Sequence, residues 1–241
     1  MTVTNQQKQQ YVNEGYFILE NALPEAHLTL LREECQRYMA LLDDEMEREG
    51  VTQKGINHKG SRYFIAAYKK DRNPRLAEFL FSPLMRALCQ AILGENPQLF
   101  VEQYVVKAAE HGAAFSWHQD GGYVGHPHKP YLSCWCPLDD VTIENGTVSV
   151  LPYSRAGSKE LFPHTKDPGS GDKVGYFGDD PGIPVEVPAG SIVCFSSTTL
   201  HRSGVNTTPQ LRRAYLAQYS DGPLLKADGS GPWNLAEAFP T

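Results

Sequence analysis

The stretch YLSCWCPLDDVTIENGTVSVL, residues 131–151, decides the class of fold. It holds two short runs rich in aromatic and β-branched residues, and Asn145-Gly146, between VTIE and TVSVL, is a tight-turn signal. The same texture continues on both sides, in LFVEQYVVK (99–107), FSWHQD (115–120), PVEVP (184–188), SIVCFSS (191–197) and RRAYLAQYS (212–220). Many short strands with turns between them and no intervening helices predict a sandwich or jelly roll. Residues 154–184 are rich in Gly, Pro, Asp and Ser and read as a long excursion from that core.

The first hundred residues read differently. From Pro24 to about Glu49 the apolar positions Leu28, Leu31, Cys35, Tyr38, Met39, Leu42 and Met46 recur at three- and four-residue steps, which predicts a helix stopped by Gly50. GYFILEN before it reads as a strand. A second helical pattern runs from about Pro83 to Leu93 and ends at Gly94. Between them, VTQKGINHKGSRYF carries loop chemistry, with a solvated surface and a flap over a site as its two readings. The expected architecture is therefore mainly β with α: a double-stranded β-helix (jelly roll, cupin-like) behind an N-terminal helical layer. One domain spans 1–241, with the helical layer and an edge strand over about 1–98, the core over about 99–222, and a C-terminal tail over 223–241.

A net charge of −6, with Lys and Arg dispersed, argues against nucleic acid or an anionic membrane as partner. No run approaches the ~20 apolar residues of a membrane span, and MTVTNQQKQQ lacks the apolar centre of a signal peptide. Five cysteines without a framework spacing fit a reducing cytoplasm. Cys134 and Cys136, one residue apart, are too tightly spaced for a zinc knuckle and read as packing residues.

Candidate chemistry begins at AFSWHQDGG (114–122). On an extended strand His118 and Asp120 share a face while Gln119 points the other way, and Gly121-Gly122 lets the chain turn aside. His-x-Asp alone is a common coincidence. His201, after the strand-like GSIVCFSSTTL, is where a jelly roll would return a third ligand to the same mouth. Two histidines and a carboxylate on one face are the donor set of non-haem Fe(II) oxygenases. Eleven residues later comes Arg212, on a strand expected to pair with the preceding one after the turn SGVNTTPQ. Its guanidinium offers the two-pronged grip that a dicarboxylic co-substrate needs. Arg213 is the rival, on the opposite strand face.

WHQD (117–120), CWCPLDDVTIENGTVSVLP (134–152) and LHRSGVNTTPQLRRA (200–214) together resemble the phytanoyl-CoA dioxygenase family of Fe(II)- and 2-oxoglutarate-dependent oxygenases. The resemblance implies that His118, Asp120 and His201 form the facial metal triad. It implies that Arg212 binds the distal carboxylate of 2-oxoglutarate with Ser203 assisting, and that Trp135 and Gln103 line the co-substrate pocket. It further implies a small-molecule substrate and O2 as partners. One departure is LPYSRAG, where Arg155 stands at a usual histidine position. Asp120 is retained, which favours hydroxylation over the halogenation of family members that lack it.

Tyr123, His126, His128, Lys107 and Arg62 are candidates for substrate contact, and each also reads as a loop or packing residue. A non-catalytic or non-oxidative cupin-like protein that binds a small molecule or metal is the alternative function. Ser-His-Asp hydrolysis and nucleotide binding lack their motifs.

Overall fold

The computed structural model describes residues 2–110, 112–168 and 171–240. At the N-terminus, α1 (Asn5–Glu14) has no apolar stripe, so periodicity did not foresee it. A capping box starts it: Thr4 Oγ1 accepts from Gln7 N while Gln7 Oε1 accepts from Thr4 N. Gly15, at φ +83°, ends it and opens β1 (Tyr16–Leu19). The predicted long helix is α2 (Glu25–Glu49), closed by Gly50 in the left-handed region.

Residues 51–65 are sheet rather than loop: β2 (Gln53–Lys54), β3 (Asn57–His58) and β4 (Arg62–Ile65) form a meander. Burial of Tyr63 and Ile65 pulls β4 onto its neighbour, which loop-like composition could not reveal. Two short helices follow, α3 (Ala67–Asp71) and α4 (Pro74–Leu80), and then the predicted α5 (Pro83–Leu93). Asn73 and Ser82 cap α4 and α5, each ahead of a proline in the first turn. Among the described residues no single helix is long and apolar enough to cross a membrane.

The core strands are β5 (Pro97–Lys107), β6 (Phe115–His118), β7 (Leu132–Pro137) and β8 (Val148–Leu151). Within the excursion lie α6 (Tyr153–Ala156), β9 (Thr165–Lys166), β10 (Lys173–Val174) and β11 (Ile183–Pro184). The chain ends through β12 (Ile192–Ser196), β13 (Leu200–Ser203), β14 (Arg212–Asp221) and β15 (Glu237–Ala238). A major sheet runs β1-β12-β7-β14-β5-β4-β3-β2, with β15 also on β5, and a minor sheet runs β11-β8-β13-β6. All their pairings are antiparallel. This is the expected jelly-roll core.

Alternation on the major sheet separates two interiors. Leu132, Cys134, Cys136, Ile192, Cys194, Tyr215, Ala217 and Tyr219 pack against the helices. Trp135, Val193, Phe195, Ala214 and Leu216 face the other way, joined by Val148 and Val150 of the minor sheet. The cysteines are free and buried, as packing residues.

One pairing corrects the sequence reading. β14 does not pair with the preceding strand: it lies between β5 and β7 in the major sheet, while β13 lies between β6 and β8 in the minor one. Crossing between sheets buries both strands' apolar faces, whereas a hairpin would have placed them in one sheet. Asn145-Gly146 makes the expected turn, with Gly146 at φ +78°, and Val141 ahead of it bridges Val187. The C-terminal tail packs on the core: Leu224 and Leu235 are buried and β15 pairs with β5.

Candidate active site

β6 and β13 are neighbours, and their register sets His118 directly opposite His201, with ring centroids 4.1 Å apart. His201 is therefore in a strand of its own, not at the end of the run before it. β6 ends at His118, Gln119 stays extended (φ −118°, ψ 134°), and Asp120 begins a single 3-10 turn, Asp120–Tyr123. The expected strand through Asp120 is corrected accordingly: Gly121 N donates to Ser197 O, turning the chain one residue past the strand end. The two glycines serve close packing rather than an unusual backbone. A Cβ at Gly121 would lie 2.8 Å from Leu161, and one at Gly122 2.6 Å from the His164 ring.

Each histidine presents the same nitrogen to the shared point. His118 Nδ1 contacts Ser116 O at 2.8 Å and His201 Nδ1 contacts Thr199 O at 3.1 Å, so Nδ1 carries the proton and Nε2 the free lone pair. Asp120 Oδ1 lies 3.7 Å from His118 Nε2 and 3.5 Å from His201 Nε2. The other oxygen, Oδ2, accepts from Ser133 Oγ at 2.6 Å and from Gln218 Nε2 at 2.8 Å. Burial, and then the neighbouring His201, push His118 well below the usual imidazole range, favouring its neutral, ligating form. One donor atom from each of the three residues lies within 4.8 Å of the others. Two imidazole lone pairs and one carboxylate oxygen, all converging, fit a divalent transition metal. Ser133 and Gln218, which orient Asp120, were missed, since nothing in their sequence neighbourhood marks a ligand's support.

These groups open into a cavity of about 340 Å³ whose wall also includes Gln103, Trp135, Ser203, Arg212 and Leu216. Trp135, Leu216 and Gln103 face one another across β7, β14 and β5. Arg212 is 1% exposed; Nη1 donates to Val105 O at 3.3 Å, and Nε has no hydrogen-bond partner. Among the described residues no carboxylate lies within ion-pair distance of it. Burial pulls its guanidinium down to about 10. Its Cζ lies 5.6 Å from the centre of the Trp135 ring. Arg213 points the other way and pairs with Asp139, Nη2 to Oδ1 at 2.6 Å.

The candidates for substrate contact separate. Tyr123 lines the cavity, as do Phe64, Asp172 and Trp233, which the sequence did not single out. Ile56, between β2 and β3, borders it too. Lys107 does not: its ammonium donates to the carbonyls of Ala113 and Gly204. Arg62 lies behind the wall, 3.8 Å from Asp172 and donating to Ile56 O. His126 bonds Leu225 O, His128 bonds His126 O, and Arg155 pairs with Asp180.

Residues 11–214 match the family model described as phytanoyl-CoA dioxygenase. The chain is 23% identical over 260 residues to the phytanoyl-CoA dioxygenase domain-containing protein 1 homolog of Dictyostelium discoideum, covering 92% of each chain. It is 25% identical to the L-proline trans-4-hydroxylase of Streptomyces griseoviridis, over 88% of this chain and 85% of that one. EvdO2 from Micromonospora carbonacea var. aurantiaca, solved in complex with 2-oxoglutarate, superposes with a TM-score of 0.70 at 23% identity, covering 100% of this chain and 96% of the other. With a family match across most of its length and a jelly roll that gathers two histidines and an aspartate, this chain belongs to the phytanoyl-CoA dioxygenase family.

Proposed function

We propose that this protein is an Fe(II)- and 2-oxoglutarate-dependent dioxygenase that hydroxylates an unactivated C–H bond of a small organic substrate. The observation that carries the reading is the buried Arg212 guanidinium, without a carboxylate partner among the described residues, in the same cavity as the three converging donors. A buried cation is costly unless an anion answers it. Arg212 and Gln218, which holds Asp120, lie on the same strand, β14, and both line the cavity with the three donors.

In this reading His118, Asp120 and His201 hold Fe(II), Arg212 takes the distal carboxylate of 2-oxoglutarate with Ser203 beside it, and Trp135 and Gln103 flank the co-substrate. Bound there, the iron supplies the coupled oxidation in which R–H, O2 and 2-oxoglutarate give R–OH, succinate and CO2. The chain's own work is positional. The carbonyls of Ser116 and Thr199 keep both imidazoles in the ligating tautomer. Ser133 and Gln218 hold Asp120 with one oxygen inward. Phe64, Phe115 and Phe195 exclude water from the cavity. The 25% identity to a proline hydroxylase supports a compact substrate.

Anaerobic addition of Fe(II) and 2-oxoglutarate tests the reading. The wild type should develop the weak visible charge-transfer band of the chelate, and Asp120→Ala should not. Absence of the band in the wild type, or its survival unchanged in Asp120→Ala, sinks the proposal.

A further inference from the structure

Asp120 lies beyond the end of β6, so the strand ladder that places His118 opposite His201 does not extend to it. Ser133 and Gln218 orient its carboxylate and Gly121 N anchors the turn after it, while the backbone just before it is held through Gln119. Gln119, between the two ligands and 0% exposed, has its side chain on the far side from the cavity, and there it touches backbone from two other segments. Its Nε2 donates to Thr198 O at 2.6 Å and to Glu160 O at 2.9 Å, while Oε1 accepts from Phe162 N at 2.7 Å. The partners leave one orientation for the amide, since two carbonyls require the NH2 and one N–H requires the oxygen. Its backbone N donates to His164 Nε2 at 3.0 Å, and His164 Nδ1 is held by Phe162 O at 2.8 Å.

Each of these partners leads back to the site. Thr198 belongs to the turn between β12 and β13, and the next residue, Thr199, holds His201 Nδ1 through its carbonyl. Glu160, Phe162 and His164 belong to the excursion whose later residues Gly171 and Asp172 wall the cavity. The excursion is fastened again at Lys173, whose Nζ donates to Gly122 O at 2.8 Å. One carboxamide therefore joins the His118–Asp120 segment, the turn that sets His201, and the cavity's outer wall.

We infer that Gln119 is a positioning residue for the metal: its carboxamide sets Asp120 against His201 and ties the 160–164 segment to both. The inference rests on the metal-binding reading above. It makes metal affinity depend on a residue that donates nothing to the metal, an effect of about 10–100-fold for groups that orient ligands.

Co(II), bound without O2 or turnover and followed by its visible absorption, is the probe. Gln119→Leu keeps the volume and loses all three hydrogen bonds; it should bind Co(II) roughly 10–100-fold more weakly and with an altered spectrum. Gln119→Glu keeps the acceptor for Phe162 N but sets an oxygen against two carbonyls, and should weaken binding likewise. Arg155→Ala, which breaks only the Arg155–Asp180 pair elsewhere on the excursion, should bind as wild type does. Wild-type affinity and spectrum in Gln119→Leu, even with a lowered melting temperature, would overturn the inference. Should the variants fail to fold, hydrogen exchange on the wild type decides: Co(II) should slow exchange of the Phe162 amide, and an unchanged rate overturns it. A wild type that takes up no Co(II) fails differently, by removing the metal site itself.

Discussion

A guanidinium that is 1% exposed and has no carboxylate within ion-pair distance among the described residues carries a desolvation cost that one carbonyl and a nearby indole ring only partly offset. Arg212 is in that position, and the cost explains why its guanidinium is pulled down to about 10. Removing the charge should therefore separate stability from binding. Arg212→Met is expected to melt at the wild-type temperature or above it in the absence of ligand. Its 2-oxoglutarate affinity should fall on the order of 100-fold, about 3 kcal/mol, as for loss of one partner of a buried charge pair. Arg213→Met loses only the Asp139 pair and should bind 2-oxoglutarate normally. Calorimetric titration of the metal-loaded variants checks both, and undiminished binding in Arg212→Met would refute the role given to Arg212. At this scale the sequence was informative, because His118, Asp120, His201 and Arg212 are each marked by chemistry that strands seldom bury without reason. Ser133, Gln218 and Gln119 carry no such mark, since their work is defined by partners distant in sequence.

Among the elements, the junction of α1 and β1 bears on the site although β1 is the edge strand of the major sheet. The Gly15 carbonyl accepts from Ser196 N at 2.8 Å and Thr199 Oγ1 at 2.7 Å, and Thr199 O in turn holds His201. Gly15 has φ +83°, and a Cβ there would lie 2.4 Å from Thr199 Oγ1 and 2.6 Å from the Tyr153 ring. Gly15→Ala meets both a left-handed backbone and a filled space, which should cost about 2 kcal/mol or more and lower the melting temperature by roughly 4–8 °C. A melting curve within a degree of wild type would show that the junction yields freely. The sequence concealed this element because Tyr11 and Val12 are the helix's apolar residues and, being adjacent, set no helical period. The cap signal Thr4…Gln7 was present and was the readable clue.

Across the whole molecule, three strands far apart in the chain bring three basic residues to one level: Arg62 on β4 and Arg212 on β14 both stand opposite Lys107 on β5. Burial, then Arg212 and Arg62, lower Lys107 from 10.5 to about 6. An unfolded chain would protonate Lys107 near its ordinary value, so unfolding takes up a proton throughout the window between the two. Its contribution therefore erodes stability as pH falls from about 10 to about 6, and becomes flat below that. The ligand-free protein should gain melting temperature between pH 6.5 and 9, and Lys107→Met should flatten that rise; an unaltered slope would refute the coupling. Lys107 also marks where sequence reasoning stopped. It was a candidate for substrate contact, but its Nζ donates to two loop carbonyls instead of facing the cavity. What the sequence determined by itself was the class of fold and the convergence of His118, Asp120 and His201 as candidate ligands, because turn residues, strand-forming runs and ligating side chains act through local chemistry. Tertiary structure alone decided that β13 and β14 lie in different sheets, that residues 223–240 pack onto the core, and that Asp120 turns out of its strand. Each of those depends on which buried faces meet across long stretches of chain, and no local pattern encodes that choice.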